Sequence, residues 1–198
     1  MDKIERRSYS VSLRSTRADD DSKATKIEGH AAVFNETTDL GWFQERIAPG
    51  AFDDTLNADV RALFNHDPNI LLGRTTNKTL RLGTDAKGLT FSADPPDTQQ
   101  ARDVLALIER GDVDQASFGF RVIEETWEFT EGEPDLRTLD KVELFDVSPV
   151  TFPAYEGTDT GLAKRSYDAA LAERTKADES ISRSAQHRAR EIELAEMG

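Results

Sequence analysis

The sequence predicts a β-rich α+β fold, on three observations. Short apolar segments with partial two-residue alternation recur between clusters of Gly, Pro, Asn and Asp. One stretch near the middle has clear helical periodicity. The apolar residues concentrate between positions 27 and 155, so a chain of 198 residues is expected to hold one core and a polar tail.

Taken in order, residues 8–14 (SYSVSLR) form one possible strand, and the polar run at 16–25 (TRADDDSKAT) reads as a loop because it has too little apolar content to pack. Strands are expected at 26–34 (KIEGHAAVF) and 41–47 (GWFQERI), joined as a hairpin by the turn-forming residues 35–39. Pro49 and Gly50 open a short helical piece whose Ala51, Phe52 and Leu56 share a face, and 59–67 (DVRALFNHD) is again strand-like, with His66 at its end beside Asp67 and Pro68. Three further strands at 70–75, 79–85 and 88–94 are separated by short turns, a regular spacing that points to a barrel or a sandwich.

The helix is expected over 98–111 (TQQARDVLALIERG): Ala101, Val104, Leu105 and Ile108 make an apolar stripe, and Gly111 supplies the stop. Residues 115–129 and 136–152 are long strand-like runs joined by a turn, which brings Ser117 and Asp146 onto neighbouring strands. From 161 onward the chain is rich in Ala, Arg and Glu, lacks Pro and has almost no aromatics, a composition for an exposed helix or a disordered tail. The expected organisation is therefore an N-terminal strand and polar loop at 1–24, a principal domain at 25–160 and a charged tail at 161–198.

Composition narrows the function. The chain has no cysteine, so disulfides, thiolate nucleophiles and thiolate metal sites are excluded, and a cytoplasmic setting fits. No segment approaches the roughly 18 consecutive apolar residues of a membrane span, and the N-terminus lacks the apolar run of a secretory signal. The net charge is −13, and residues 164–198 are balanced at seven basic and seven acidic residues, so the charge belongs to the core. A nucleic-acid partner is not expected of such a surface, which would repel phosphate.

Three histidines are candidates for a base working near neutral pH. His187 lies in the polar tail, where solvation accounts for it. His30 lies within a strand between Gly29 and Ala31, and His66 follows the apolar run 62–64; each admits a structural or a catalytic reading. Ser117, in Ala-Ser-Phe-Gly-Phe, has small neighbours in Ala116 and Gly119 that would let a substrate backbone approach its hydroxyl. A serine nucleophile needs a base within hydrogen-bond reach and a third group to fix the base's tautomer. Asp146 is the candidate for that third role, with Glu143 in the same strand as competitor. A metal site built from His30 and His66 with Asp39, Asp67 or Asp146 lacks any ligand pair at metal-binding spacing, and no cofactor is expected.

Three blocks of residues together resemble a known family. FQERIAPGAFDDTL from Phe43, ALFNHDPNILLGRT from Ala62, and DVDQASFGFRV from Asp112 with ELFDVSPVTFPAYEGT from Glu143 are similar, in order and rough spacing, to the prohead proteases of tailed bacteriophages, across about residues 25–160. That resemblance implies a fold similar to herpesvirus assemblin, a closed or nearly closed antiparallel β-barrel flanked by helices, commonly paired into a homodimer. It implies catalytic roles for Ser117 as nucleophile, His66 as base and Asp146 as the acidic third member. Many relatives look to have glutamate at that third position, and assemblin-like relatives use a second histidine, which keeps His30 as a contender.

The resemblance also implies the setting. The expected substrates are the scaffolding segment of the major capsid protein and the protease itself, inside the assembling prohead in the host bacterial cytoplasm; residues 164–198, polar and balanced in charge, are expected to be a targeting or assembly segment that is trimmed. The stretch 148–151 is the expected region for the oxyanion donors. The rival from another class is a non-catalytic scaffolding or assembly protein of the prohead with the same fold; a barrel-shaped binding module explains neither FNHD nor SFGF.

Overall fold

A computed structural model describes residues 4–10, 13–16, 26–152 and 160–196, in two compact units, Met1–Thr160 and Gly161–Gly198. Most of the expected loop at 16–25 and two residues of the expected strand at 8–14 lie outside the described residues.

The first unit is β-rich, with eleven strands among its described residues: β1 Glu5–Ser10, β2 Arg14–Thr16, β3 Lys26–Val33, β4 Thr38–Asp39, β5 Gln44–Ile47, β6 Arg61–Phe64, β7 Asp67–Arg74, β8 Leu80–Thr84, β9 Gly88–Ala93, β10 Gln115–Glu128 and β11 Leu136–Val150. They make two sheets. Seven strands belong to one, along the path β1-β10-β11-β5-β4 with β6 and β7 joined to β11 through β6; the other runs β2-β3-β9-β8. The expected closed or nearly closed antiparallel barrel is thus corrected to two separate sheets, and the larger is mixed, because β5 and β6 both lie parallel to β11. Among the described residues of this unit the flanking helices are one α-helix, α1 Gln99–Arg110, with short 3-10 turns at Asp53–Thr55 and Thr75–Asn77.

The long antiparallel pair β10–β11 organises the unit. Phe118 and Phe120 from β10 and Val142, Leu144 and Val147 from β11 are buried, and they meet Ile27, Leu80, Leu89 and Phe91 of the second sheet in one core. Burial of such side chains supplies roughly 1.5–3 kcal/mol each before the entropy of ordering them is counted. Phe118 sits within an aromatic group, edge-on to Phe52 at 5.5 Å and stacked with Phe120 at 4.8 Å.

The hairpin expected between 26–34 and 41–47 does not form. Instead β3 pairs with β9, and β5 pairs with β4 and with β11. The chain changes sheet at Phe34 and Asn35: the Phe34 N–H donates to the Lys87 carbonyl, the Asn35 N–H donates to that of Ile47, and Asn35 has φ 57°. An asparagine tolerates that left-handed conformation better than most residues, and here it serves a crossing rather than a tight hairpin.

α1 follows its sequence closely. Thr98 caps it through its side chain, which accepts from the Ala101 N–H, and Gly111 ends it with φ 81°. Ala101, Val104 and Ile108 are buried, while Leu105 packs partly buried against the core.

The second unit is one helix, α2 Thr160–Glu196. Its side chains from 172 to 188 are exposed, and it carries i,i+4 ion pairs of Lys164 with Asp168 at 3.0 Å and of Arg183 with Glu179 at 2.9 Å. No described helix is long and apolar enough to cross a membrane.

Candidate active site

Ser117 lies on β10, opposite Ser148 of β11, and Gly119 two residues on lies opposite Asp146. Alternation along a strand therefore directs Ser117, Gly119, Asp146 and Ser148 to one face, while Phe118 and Val147 fill the core on the other. The register shifts by one residue between the Gly119–Asp146 and Phe120–Leu144 pairs, which leaves Phe145 as a bulge beside Asp146. Bulges of this kind re-aim a neighbouring side chain.

His66 comes from the turn between β6 and β7. Phe64 pairs with Asp67, so Asn65 and His66 form a two-residue hairpin loop, and both have positive φ, 52° and 57°. That is the φ signature of the primed turn that suits the twist of a hairpin, with asparagine at its favoured place and histidine at an uncommon one. Asn65 also ties the loop to the end of β11. Its N–H donates to the Pro149 carbonyl at 3.0 Å, its Nδ2 donates to Thr151 Oγ1 at 3.0 Å, and its Oδ1 accepts from the Thr151 N–H at 2.8 Å.

These elements bring the three expected residues together. His66 Nδ1 is 2.6 Å from Asp146 Oδ1, and His66 Nε2 is 2.7 Å from Ser117 Oγ. With Asp146 ionised, Nδ1 carries the proton and donates to the carboxylate, which leaves Nε2 as an acceptor for the serine hydroxyl. A fourth residue, Ser148, donates its hydroxyl to the same Asp146 Oδ1 at 2.7 Å and is fully buried. The sequence offered Ser148 only within the stretch expected to hold the oxyanion; its hydrogen bond to Asp146 and its place opposite Ser117 are a matter of register.

Gly119 has a different role from the one its sequence context suggests. A Cβ built there would lie 2.3 Å from Asp146 Oδ2, so the glycine makes room for the carboxylate rather than for a substrate backbone. The other candidates are engaged elsewhere. Glu143 pairs with Arg121, and His30 lies on β3 with its Nε2 3.0 Å from Asp85 Oδ2. Asp39 accepts from the Gly41 N–H, Asp67 accepts from Asn69, and His187 is exposed on α2. In the stretch 148–151, Pro149 has no N–H and the Thr151 N–H is taken by Asn65, which removes both as oxyanion donors.

The site is covered. Ser117 has no exposed surface, because β1 pairs with β10 along its whole length, with Ser8 opposite Ser117. The Arg7 carbonyl of β1 lies 2.9 Å from Ser117 Oγ and competes with His66 Nε2 for its one proton.

The family described as Caudovirus prohead serine protease matches residues 12–173 of this chain. No curated protein sequence matches. Among solved structures, the capsid assembly protease of bacteriophage T4 superimposes with a TM-score of 0.52 at 11% identity, over 76% of this chain and 98% of that one. At that identity the likeness concerns the fold.

Proposed function

This chain belongs to the caudovirus prohead serine protease family, and we propose that it is a serine endopeptidase with Ser117 as nucleophile, His66 as general base and Asp146 as the group that orients His66. The observation that carries this reading is the hydrogen-bonded chain from Ser117 Oγ through both nitrogens of His66 to Asp146 Oδ1, at 2.7 and 2.6 Å.

In this reading His66 Nε2 takes the hydroxyl proton as Ser117 Oγ attacks the carbonyl carbon of a peptide, giving an acyl-enzyme. The imidazolium, stabilised by Asp146, returns the proton to the leaving amine. A water molecule then repeats the sequence on the acyl-enzyme and frees Ser117. Backbone N–H groups hold the oxyanion in the transition state. Ser148 acts as a positioning residue: its hydroxyl leaves Asp146 one fewer orientation to sample.

The proposed substrates are the scaffolding segment of the major capsid protein and the protease itself, cut within the assembling prohead. Family membership and the fold shared with a phage capsid assembly protease support that setting. A homodimer rests on the resemblance in sequence, and the trimming of residues 164–198 on the polar, charge-balanced composition of that tail. The test is to follow wild type, Ser117→Ala and His66→Ala by intact mass spectrometry over hours, alone and with the capsid protein. Loss of mass by wild type or capsid protein, with both variants inert, is expected; identical behaviour of all three would favour a non-catalytic assembly role.

A further inference from the structure

β8 is the last strand of the smaller sheet, and its outer edge has no strand partner among the described residues. The phase of its ladder is set at both ends: the Asp94 N–H donates to the Thr79 carbonyl at 2.8 Å, and the Asp85 N–H donates to that of Gly88 at 3.0 Å. Peptide groups of an antiparallel strand face a given neighbour at every second residue, so those of Arg81 and Gly83 face β9 while those of Leu82 and Thr84 turn to the free edge. Such an edge is a template for a further strand. We propose that the edge of β8 is a docking site for an extended acidic segment of a partner protein, which adds to the four-stranded sheet as one more strand.

The edge comes with room for side chains. A groove of about 380 Å³ lies there, lined by Leu80, Arg81 and Leu82 of β8 and by Leu56, Thr75 and Lys78 among others. Along β8 the side chains alternate: Arg81 and Gly83 lie on the outer face of the sheet, and Leu80 and Leu82 on the core side. Leu80 is buried, whereas Leu82 and Leu56 only partly bury themselves against the core. A strand added here continues the alternation, with apolar side chains towards Leu56 and Leu82 and the intervening ones over the outer face beside Arg81.

Charge on that face selects acids. Cross-strand register sets Arg14, Glu28, Ser92 and Arg81 in one row and His30, Thr90 and Gly83 in the next, and both rows line a depression of about 630 Å³ together with Lys87. The carboxylates nearby are engaged: Glu28 accepts from Ser92 at 2.9 Å, Asp94 pairs with Arg81 at 2.8 Å and Asp85 with His30 at 3.0 Å. The cations are not. Arg14, Lys26, Lys78 and Lys87 make no ion pair among the described residues, and Lys78 and Lys87 stand exposed just before and just after β8. Elsewhere in this unit cations such as Arg46, Arg74 and Lys141 do have acidic partners. In a chain with a net charge of −13, unmatched cations gathered on one sheet attract Asp and Glu of a short segment, whereas a long polyphosphate meets the repulsion of the whole acidic surface.

This edge is remote from Ser117. Phe118 of the larger sheet and Phe91 of the smaller one share the core between them, so Ser117 faces away from that core on one side and Arg81 on the other. A peptide on β8 is therefore held without being presented to Ser117 Oγ, and the docking site stands whether or not the chain is a protease.

The test uses the full-length Ser117→Ala chain, which keeps binding apart from cleavage. A fluorescent peptide that alternates glutamate with valine, and the same peptide with lysine for each glutamate, are titrated against it and against the chain that also carries Lys78→Glu and Lys87→Glu. The acidic peptide is expected to bind about tenfold or more tightly than the basic one, and to lose about tenfold or more in the lysine variant. Amide exchange at Leu82 and Thr84, followed by NMR in Ser117→Ala itself, is expected to slow on saturation with the acidic peptide, a readout that needs no change in the edge. Absence of binding, equal binding of the two peptides, or binding that leaves exchange at Leu82 and Thr84 unchanged overturns the proposal. Tighter binding of a single-stranded oligodeoxynucleotide than of the acidic peptide overturns it as well, by making the occupant a polyphosphate.

Discussion

Single atoms decide the geometry around Ser117. Gly119→Ala would place a methyl 2.3 Å from Asp146 Oδ2, so the carboxylate must move away from His66 Nδ1. The expected outcome is a fall in kcat of at least about tenfold, the equivalent of a single lost hydrogen bond to a charged group, with KM little changed. Asp146→Asn keeps the shape but offers no anion to the imidazolium, and about 10⁴-fold in kcat is at stake in arrangements of this type. Steady-state kinetics on a cleavable peptide checks both, and unchanged kcat in either variant removes Asp146 from its role. Ser117, His66 and Asp146 stood out as candidates by their chemistry, each with a structural alternative, and it was the resemblance in sequence that attached roles to them. The function of Gly119, the hydroxyl of Ser148 and the carbonyl of Arg7 were not legible, since each depends on cross-strand register, which a linear sequence does not contain.

At the scale of elements, the β6–β7 hairpin is the part that must stay rigid, because its two-residue loop carries His66. Its open end is pinned by Asp59, which accepts a forked pair from Arg74 at 2.7 Å and 2.7 Å and a further bond from Arg61 at 3.1 Å. Hydrogen bonding from Arg74 above all, then the charge of Arg61, holds the Asp59 carboxyl down to about 2. The lowered value means that the folded state favours the ionised form. The contribution to stability is therefore present above the unfolded carboxyl value of about 3.9 and is lost as pH falls towards about 2. Thermal melts of Asp59→Asn against wild type should differ above about pH 5 and converge towards pH 2, with the difference reduced by salt because the pair is exposed; a difference independent of pH would contradict this. Asn65→Ala should raise the mobility of His66 by removing both the favoured turn residue and the clamp on Thr151. The stripe and the stop of α1 were readable because their signals are local. The hairpin carrying His66 was read as a strand end, since Asn-His is a weaker turn signature than Asn-Gly.

For the molecule as a whole, strand existence was legible and strand partnership was not. Regular strand spacing fits a barrel and a pair of sheets equally, and the choice is made where the chain crosses at Phe34 and Asn35 and where β5 and β6 run parallel to β11. Parallel pairing brings strands together that are distant in sequence, so no local turn announces it. The same long-range pairing lays β1 over Ser117, a feature invisible in the sequence. The most direct measurement of the central claim is the mass of tryptic peptides after exposure to a fluorophosphonate, which forms a covalent adduct with an activated serine hydroxyl. An adduct on Ser117 in an Arg7→Gln chain, which loses the Arg7–Glu45 ion pair that helps hold β1 over the buried serine, absent when His66→Ala or Asp146→Asn is added, is the predicted result. Equal modification of Ser117 with and without His66, or modification spread over other serines with Ser117 untouched, would contradict the account.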